Sequence, residues 1–300
     1  GLGNSYEKTV GENGHESLKK KPGFYRDSRM LERLGRVARR LVPVVERQDL
    51  TYHFTILDSD ELNAFALPGG YVYVTKGLMK TISSDDELAG VVGHELGHVD
   101  KKHGLKQAGK SGLMALVIAL MGANDDAKKF QKAAAIAALF ANLKFSRDDE
   151  FEADRQAVKY TMKAGYRPDG LLQFFGRINK DGKLTSVTKY FSTHPPTMER
   201  IKRVQDEIKK RGGRVLAQVP VDPPQYSPPP ERLPNPQNPP SSSSRPDISL
   251  KLAYEDYMYA KNQYEYKVSQ GAPVEEVMSA FRKYQVAKER YFKLKAAMGR

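Results

Sequence analysis

The sequence predicts an α+β fold that is mostly helical, with one small β-sheet near its start, a Pro-rich linker behind it and a helical hairpin at the C-terminus. Three observations carry this reading. Short β-prone runs (Tyr52 to Leu57, Leu62 to Leu67, Tyr71 to Thr75) occur early, with Pro68-Gly69-Gly70 as a turn. From Ser84 to Lys210 the apolar residues mostly recur at helical spacing. Eleven of the 18 prolines lie between Pro220 and Pro246, with Ser241 to Ser244 among them. Such a stretch lacks backbone donors, buries little and stays extended.

The chain therefore divides into a body of residues 1–217 with its core at 25–210, a Pro/Ser-rich linker at 218–247, and a hairpin at 248–300. In the body, residues 26–47 read as an amphipathic helix through Met30, Leu31, Leu34, Val37 and Leu41. In the hairpin, Leu250, Tyr254, Tyr257, Tyr264 and Val268 form one helical stripe. Val277, Phe281, Tyr284, Tyr291, Leu294 and Met298 form the other. Pro273 suits a first helical turn between them. Tyrosine fills a helix seam while its hydroxyl stays wet, or else presents an aromatic face to a ligand.

Apolar residues are 39% and charged residues 28% of the 300, which excludes collagen-like and wholly disordered classes. The longest apolar stretch, Gly112 to Gly122, falls short of the roughly 20 residues that span a bilayer. Cysteine is absent, so disulfides and thiolate chemistry are excluded. The formal charge of +13 suits an anionic surface. No nucleic-acid module accompanies it, so no nucleic-acid partner is expected. The chain opens on Gly1, as a processed or trimmed product would.

Ser84 and Glu87 have capping-box spacing, and acidic side chains fill the turn that follows Ser84. A helix that starts there carries His94-Glu95-Leu96-Gly97-His98. Residues four apart share a face, so both imidazoles reach one tetrahedral zinc ion. The Glu95 carboxylate reaches a water on that ion. Gly93 and Gly97 leave the helix open to close approach despite a helix cost of roughly 1 kcal/mol each. A third ligand is required. Glu150 and Asp154, also four apart, supply one ligand and one carboxylate that holds a ligand imidazole. Glu152 points elsewhere on that helix. His103, five residues past His98 and about 140° off the ligand face, reads as structural or surface. His15 and His53 have no companions.

Four motifs in one order over roughly residues 25–210 resemble peptidase family M48, zinc metallopeptidases that include the CaaX prenyl proteases, HtpX-like heat-shock proteases and periplasmic quality-control proteases. They are Asn63-Ala64-Phe65-Ala66-Leu67-Pro68-Gly69-Gly70, His94-Glu95-x-x-His98, Glu150-x-x-x-Asp154, and His194-Pro195 followed by Arg200. The resemblance implies a gluzincin-like catalytic domain holding one Zn2+ by His94, His98 and Glu150. Glu95 is then the general base and Asp154 the partner of a ligand imidazole. His194 and Arg200 are the implied stabilisers of the oxyanion. The expected activity is that of a zinc metalloendopeptidase acting on unfolded or misassembled polypeptides. The linker and hairpin lie outside the resemblance. The chain is similar to the soluble, exported branch, which implies a periplasmic or membrane-associated protein in a bacterium.

The strand of Tyr71, Val72, Tyr73 and Val74 is read as a sheet edge to which an extended substrate adds by backbone pairing. The apolar runs Leu113 to Met121 and Ala133 to Ala141 are core helices, a cover for the cleft or a peripheral membrane contact. Two other readings stand beside the peptidase. One is a chaperone-like or assembly factor of the cell envelope with weak or latent proteolysis, docking envelope proteins through the C-terminal arm. The other is membrane-surface tethering by the basic surface.

Overall fold

The β-prone runs form a three-stranded sheet in the computed structural model: β1 (His53–Leu57), β2 (Ala64–Leu67) and β3 (Tyr71–Thr75). The order is β1-β3-β2, with β1 parallel and β2 antiparallel to β3. Registers are fixed by His53 opposite Tyr71 and Leu67 opposite Tyr71. Gly69 (φ 85°) and Gly70 (φ 92°) turn the β2–β3 hairpin in a backbone region that L side chains rarely adopt. The expectation of an edge strand at Tyr71, Val72, Tyr73 and Val74 is corrected here, because β3 is central and paired on both sides. Every residue of β3 is buried. A run apolar at successive positions suits a strand covered on both faces, which belongs in the middle of a sheet. The edges are β1 and β2.

The structure describes residues 2–110, 125–180, 188–216, 245–269 and 274–297. They fall into two compact units, Gly1–Gln107 with Val117–Pro224, and Ala108–Leu116 with Gln225–Arg300. The run Leu113 to Met121 and most of the Pro-rich linker lie outside the described residues. No described helix is long and apolar enough to cross a membrane.

In the first unit, helix α1 (Leu2–Leu18) precedes the amphipathic α2 (Ser28–Leu41). The sequence pattern does not announce α1. Asp27 caps α2 by accepting from Met30 N, and α2 ends where Pro43 enters a short 3-10 turn. Leu34, Val37, Ala38 and Leu41 are its buried face. After α3 (Lys76–Thr81) comes α4 (Asp85–Asp100), almost wholly buried, with Ser84 accepting from Glu87 N. The Glu87 carboxylate does not close the box on Ser84. It accepts from Ser83 and pairs with Arg177. Lys102 (φ 56°) separates α4 from α5 (His103–Lys110).

Helix α6 (Asp126–Ala141) packs on α1 and β2. Ala133, Ala135, Ile136, Ala137, Phe140 and Ala141 are buried, so the Ala133 to Ala141 run is a core helix. Helix α7 (Arg147–Lys163) starts with a complete capping box between Ser146 and Asp149. Then follow α8 (Gly170–Lys180), α9 (Thr188–Thr193) and α10 (Met198–Lys210). In the second unit α11 (Arg245–Ser269) and α12 (Val274–Ala297) pack as a hairpin. Its seam is aromatic: Tyr257 stacks on Tyr291 at 5.7 Å and on Tyr284 at 5.8 Å.

Helix α4 packs extensively on α7. A Cβ on Gly97 would stand 2.9 Å from Ala153 O and 3.0 Å from Ala153 Cα, whereas one on Gly93 would stand 3.4 Å from Ala157 Cα. Gly97 thus sets the closest approach of the two helices. Gly97→Ala is expected to cost about 1–3 kcal/mol through overpacking against backbone, with Gly93→Ala costing less; denaturant midpoints of the two variants check the order.

Candidate metal centre

Helices α4 and α7 bring two imidazoles and a carboxylate to one point. His94 and His98 lie one turn apart on α4, and their Nε2 atoms are 3.0 Å from each other. Glu150, in the first turn of α7, places Oε2 3.4 Å from His94 Nε2 and Oε1 3.3 Å from His98 Nε2. His194, just past α9, adds Nδ1 at 3.2 Å from His94 Nε2 and 2.8 Å from Glu150 Oε1. All four residues are buried, and one donor atom from each lies within 4.8 Å of all the others. Donors at about 2.1 Å from a tetrahedral ion stand roughly 3.4 Å apart. The spacing found here matches that.

The surrounding contacts aim these atoms. His94 Nδ1 lies 2.8 Å from Asp154 Oδ1, which leaves Nε2 facing the cluster. Asp154 is gripped by Arg200, whose Nε and Nη2 each donate at 2.8 Å. Arg200 Nη1 donates to Pro195 O at 3.0 Å and sits 2.8 Å from Glu150 Oε2. The guanidinium is 2% exposed, so its donors serve the two carboxylates and the loop after His194. Arg200, expected at a substrate oxyanion, spends its donors here on Asp154, Pro195 and Glu150.

His103 is also placed differently from its helical projection. Past the end of α4 the left-handed Lys102 turns the chain and carries the imidazole back, so that His103 Nδ1 lies 2.9 Å from His98 Nδ1. Its Nε2 lies 3.0 Å from Glu152 Oε2. His15 and His53 have companions after all. His15 Nδ1 bonds the Tyr73 hydroxyl at 2.8 Å, and His53 stacks on Tyr71 at 4.5 Å. The signal for His103 lay in the end of α4, which an extrapolated helix ignores.

Charge explains the proton distribution. Burial opposes protonation of His94, but Glu150 and Asp154 outweigh it and hold this imidazole up at about 9. Burial and the neighbouring His94 push His98 well down. Glu150 is held well below the usual carboxylate range by His194, Arg200 and His94 against the burial cost. Glu95 is raised, chiefly by burial, and its Oε1 has no hydrogen-bond partner. His194 Nε2 stands 3.6 Å from it. The His94 proton thus stands where a cation fits, between two facing imidazole nitrogens that repel when both present lone pairs. The residues present suit a divalent metal.

A cleft opens beside this cluster. Glu95, His98 and His194 line one part of it, and Glu7 and Lys102 another, 3.0 Å apart as an ion pair. Phe65, Ala66, Leu67, Leu105, Phe140 and Leu143 supply apolar wall. Phe145 stacks on the His98 ring at 3.9 Å between centroids.

Two histidines on one buried helix, a carboxylate from a second helix and a glutamate whose Oε1 lacks a hydrogen bond, beside an apolar cleft, suit the class of metal-dependent hydrolases. Residues 28–208 match the sequence profile of peptidase family M48, and the chain belongs to that family. It is 32% identical to the metalloprotease YcaL of Escherichia coli over 61% of this chain and 72% of that one. It is 26% identical to the mitochondrial metalloendopeptidase OMA1 of Schizosaccharomyces pombe over 58% of this chain and 51% of that one. It is 29% identical to the putative beta-barrel assembly-enhancing protease of Vibrio cholerae over 57% of this chain and 37% of that one.

His94 must surrender its proton to bind metal. Its raised pKa therefore opposes binding below about 9, and affinity is expected to rise roughly tenfold per pH unit below that value from this group alone. Calorimetry of the apo chain at pH 7, in buffers of different ionisation enthalpy, checks this by the proton released per metal bound. No release would contradict the assignment.

Proposed function

We propose that the chain is a zinc metalloendopeptidase that cleaves unfolded or misassembled polypeptides. The observation that carries this is the convergence of His94, His98 and Glu150 beside Glu95, whose Oε1 lacks a hydrogen bond, at the cleft. The all-nitrogen-and-carboxylate donor set suits zinc. A zinc ion held there supplies Lewis acidity, acidifying a water and polarising the scissile carbonyl.

The chain's own groups do the rest. Glu95, raised by burial and free of hydrogen bonds at Oε1, takes the proton from the attacking water and passes it to the leaving amine. Asp154 fixes the His94 tautomer, and Arg200 is a positioning residue that offsets the charge of Asp154 and Glu150. His194, expected at the oxyanion, has its Nδ1 among the atoms that could hold a metal and would serve as a further donor there.

Polypeptide substrate is read from the cleft walls. The sheet-edge strand β2 contributes Phe65, Ala66 and Leu67 to the cleft, so β2 takes the backbone-pairing role expected of β3. Backbone pairing reads little sequence, and apolar walls suit side chains exposed only on unfolding. The named assembly-enhancing relative supports action on envelope proteins and a place in the bacterial envelope.

Glu95→Gln is expected to keep its zinc and lose about 10²–10⁴-fold of casein cleavage. Metal content measured beside turnover checks it, and unchanged cleavage by the zinc-loaded variant would refute the base.

A further inference from the structure

Two ligand imidazoles sit on α4, and only one has a carboxylate on its second nitrogen. His94 Nδ1 meets Asp154 directly. His98 Nδ1 meets the Nδ1 of another imidazole, His103, at 2.9 Å. Two ring nitrogens at that separation make a hydrogen bond only if one carries the hydrogen and the other the lone pair. The far side of His103 decides which. Its Nε2 lies 3.0 Å from Glu152 Oε2 and 3.5 Å from Asp149 Oδ1. Carboxylates accept, so Nε2 of His103 is the protonated nitrogen and its Nδ1 bears the lone pair. That lone pair accepts from His98 Nδ1–H, and His98 Nε2 is then left bare toward Glu150 and His94.

We propose that His103 and Glu152 are positioning residues, a carboxylate–imidazole relay that sets the tautomer and ring orientation of the metal ligand His98. The proposal rests on the metal-centre reading above. Burial supports it. His103 is 0% exposed, and a buried imidazole holds its nitrogens to the partners it has. Glu152 lies on α7 beside Glu150, so the helix that supplies the third ligand also orients the second. Phe145 lies over the His98 ring and leaves the in-plane Nδ1 bond to fix its rotation. Asp149 is the weaker acceptor here, because its Oδ2 is held by the Ser146 cap at 2.7 Å.

Such partners are worth 10- to 100-fold in metal affinity. The test uses the full chain, zinc, and a competing chelator to read dissociation constants for wild type, Glu152→Ala, His103→Ala and His103→Gln. Long-range proton–nitrogen NMR of the histidine rings in the apo chain reads the tautomers. Expected are an Nδ1–H His98 and an Nε2–H His103 in wild type, and a 10- to 100-fold weaker zinc site in His103→Ala. Glu152→Ala is expected to weaken the site and to mix the His103 tautomers. In His103→Gln the introduced amide oxygen accepts from His98 Nδ1–H, so this variant is expected to recover affinity to within a few-fold of wild type. Glu152 is about one third exposed at its side chain, and its truncation leaves the core intact, so that variant reports even if His103→Ala does not fold. Wild type that binds zinc while Glu152→Ala and His103→Ala bind within twofold of it overturns the relay alone. So does an Nε2–H His98 in the apo chain. Wild type that binds no zinc overturns the metal centre and the relay together.

Discussion

The site depends on how closely α7 lies against α4. Two histidines on one helix make half of a metal centre, and the other half arrives on a second helix more than 50 residues later. Gly97 brings the α7 backbone to the surface of α4 at Ala153, between Glu150 and Asp154. That contact places both carboxylates one turn apart on the face that meets His94 and His98. A side chain at 97 would stand where α7 runs. The packing also explains why a residue poor in helix propensity sits between the histidines.

The second constraint is charge. Glu95, Glu150 and Asp154 are buried together with a single guanidinium, Arg200. Three carboxylates less one arginine leave two negative charges, which a divalent cation cancels. Without it, a proton on His94 takes up part of the imbalance, and burial pushes the carboxyl of Glu95 up. The ligands, the base and the supporting ion pairs are thus one electrostatic unit, and removing a member shifts the protonation of the others. The four donor atoms converge because carboxylates and imidazoles so deeply buried are stable only as a mutually compensating set.

Local chemistry was legible in the sequence where it depends on spacing along one element. Ser84 announces a helix start. The four-residue spacings of His94 with His98 and of Glu150 with Asp154 hold because each pair stays within a single helix. The tyrosine stripes of the C-terminal hairpin meet in its seam, one of the two readings the sequence allowed. What depends on partners far along the chain was not legible. The order of three strands is a tertiary property, and the unbroken burial of Tyr71 to Thr75 was the clue to its central place. His103, read as structural or surface, is buried; only its helical projection failed, because α4 ends at Asp100 and the left-handed Lys102 beyond it turns the chain with no glycine to give warning. Arg200 lies on α10, and nothing local shows that its charge turns inward to Asp154. Helix α1 carries little amphipathic pattern of its own; it packs on α6, with Gly11 and Gly14 against Pro68, Tyr71 and Leu67.

X-ray absorption at the zinc edge of the metal-loaded chain tests the central claim most directly, since it counts donors around the ion. The proposed site would give imidazole nitrogens from His94 and His98 and a carboxylate oxygen from Glu150 among the donors, at about 2.0–2.2 Å. A shell without imidazole scattering, or one that keeps the same donors after Glu150→Ala, would contradict it.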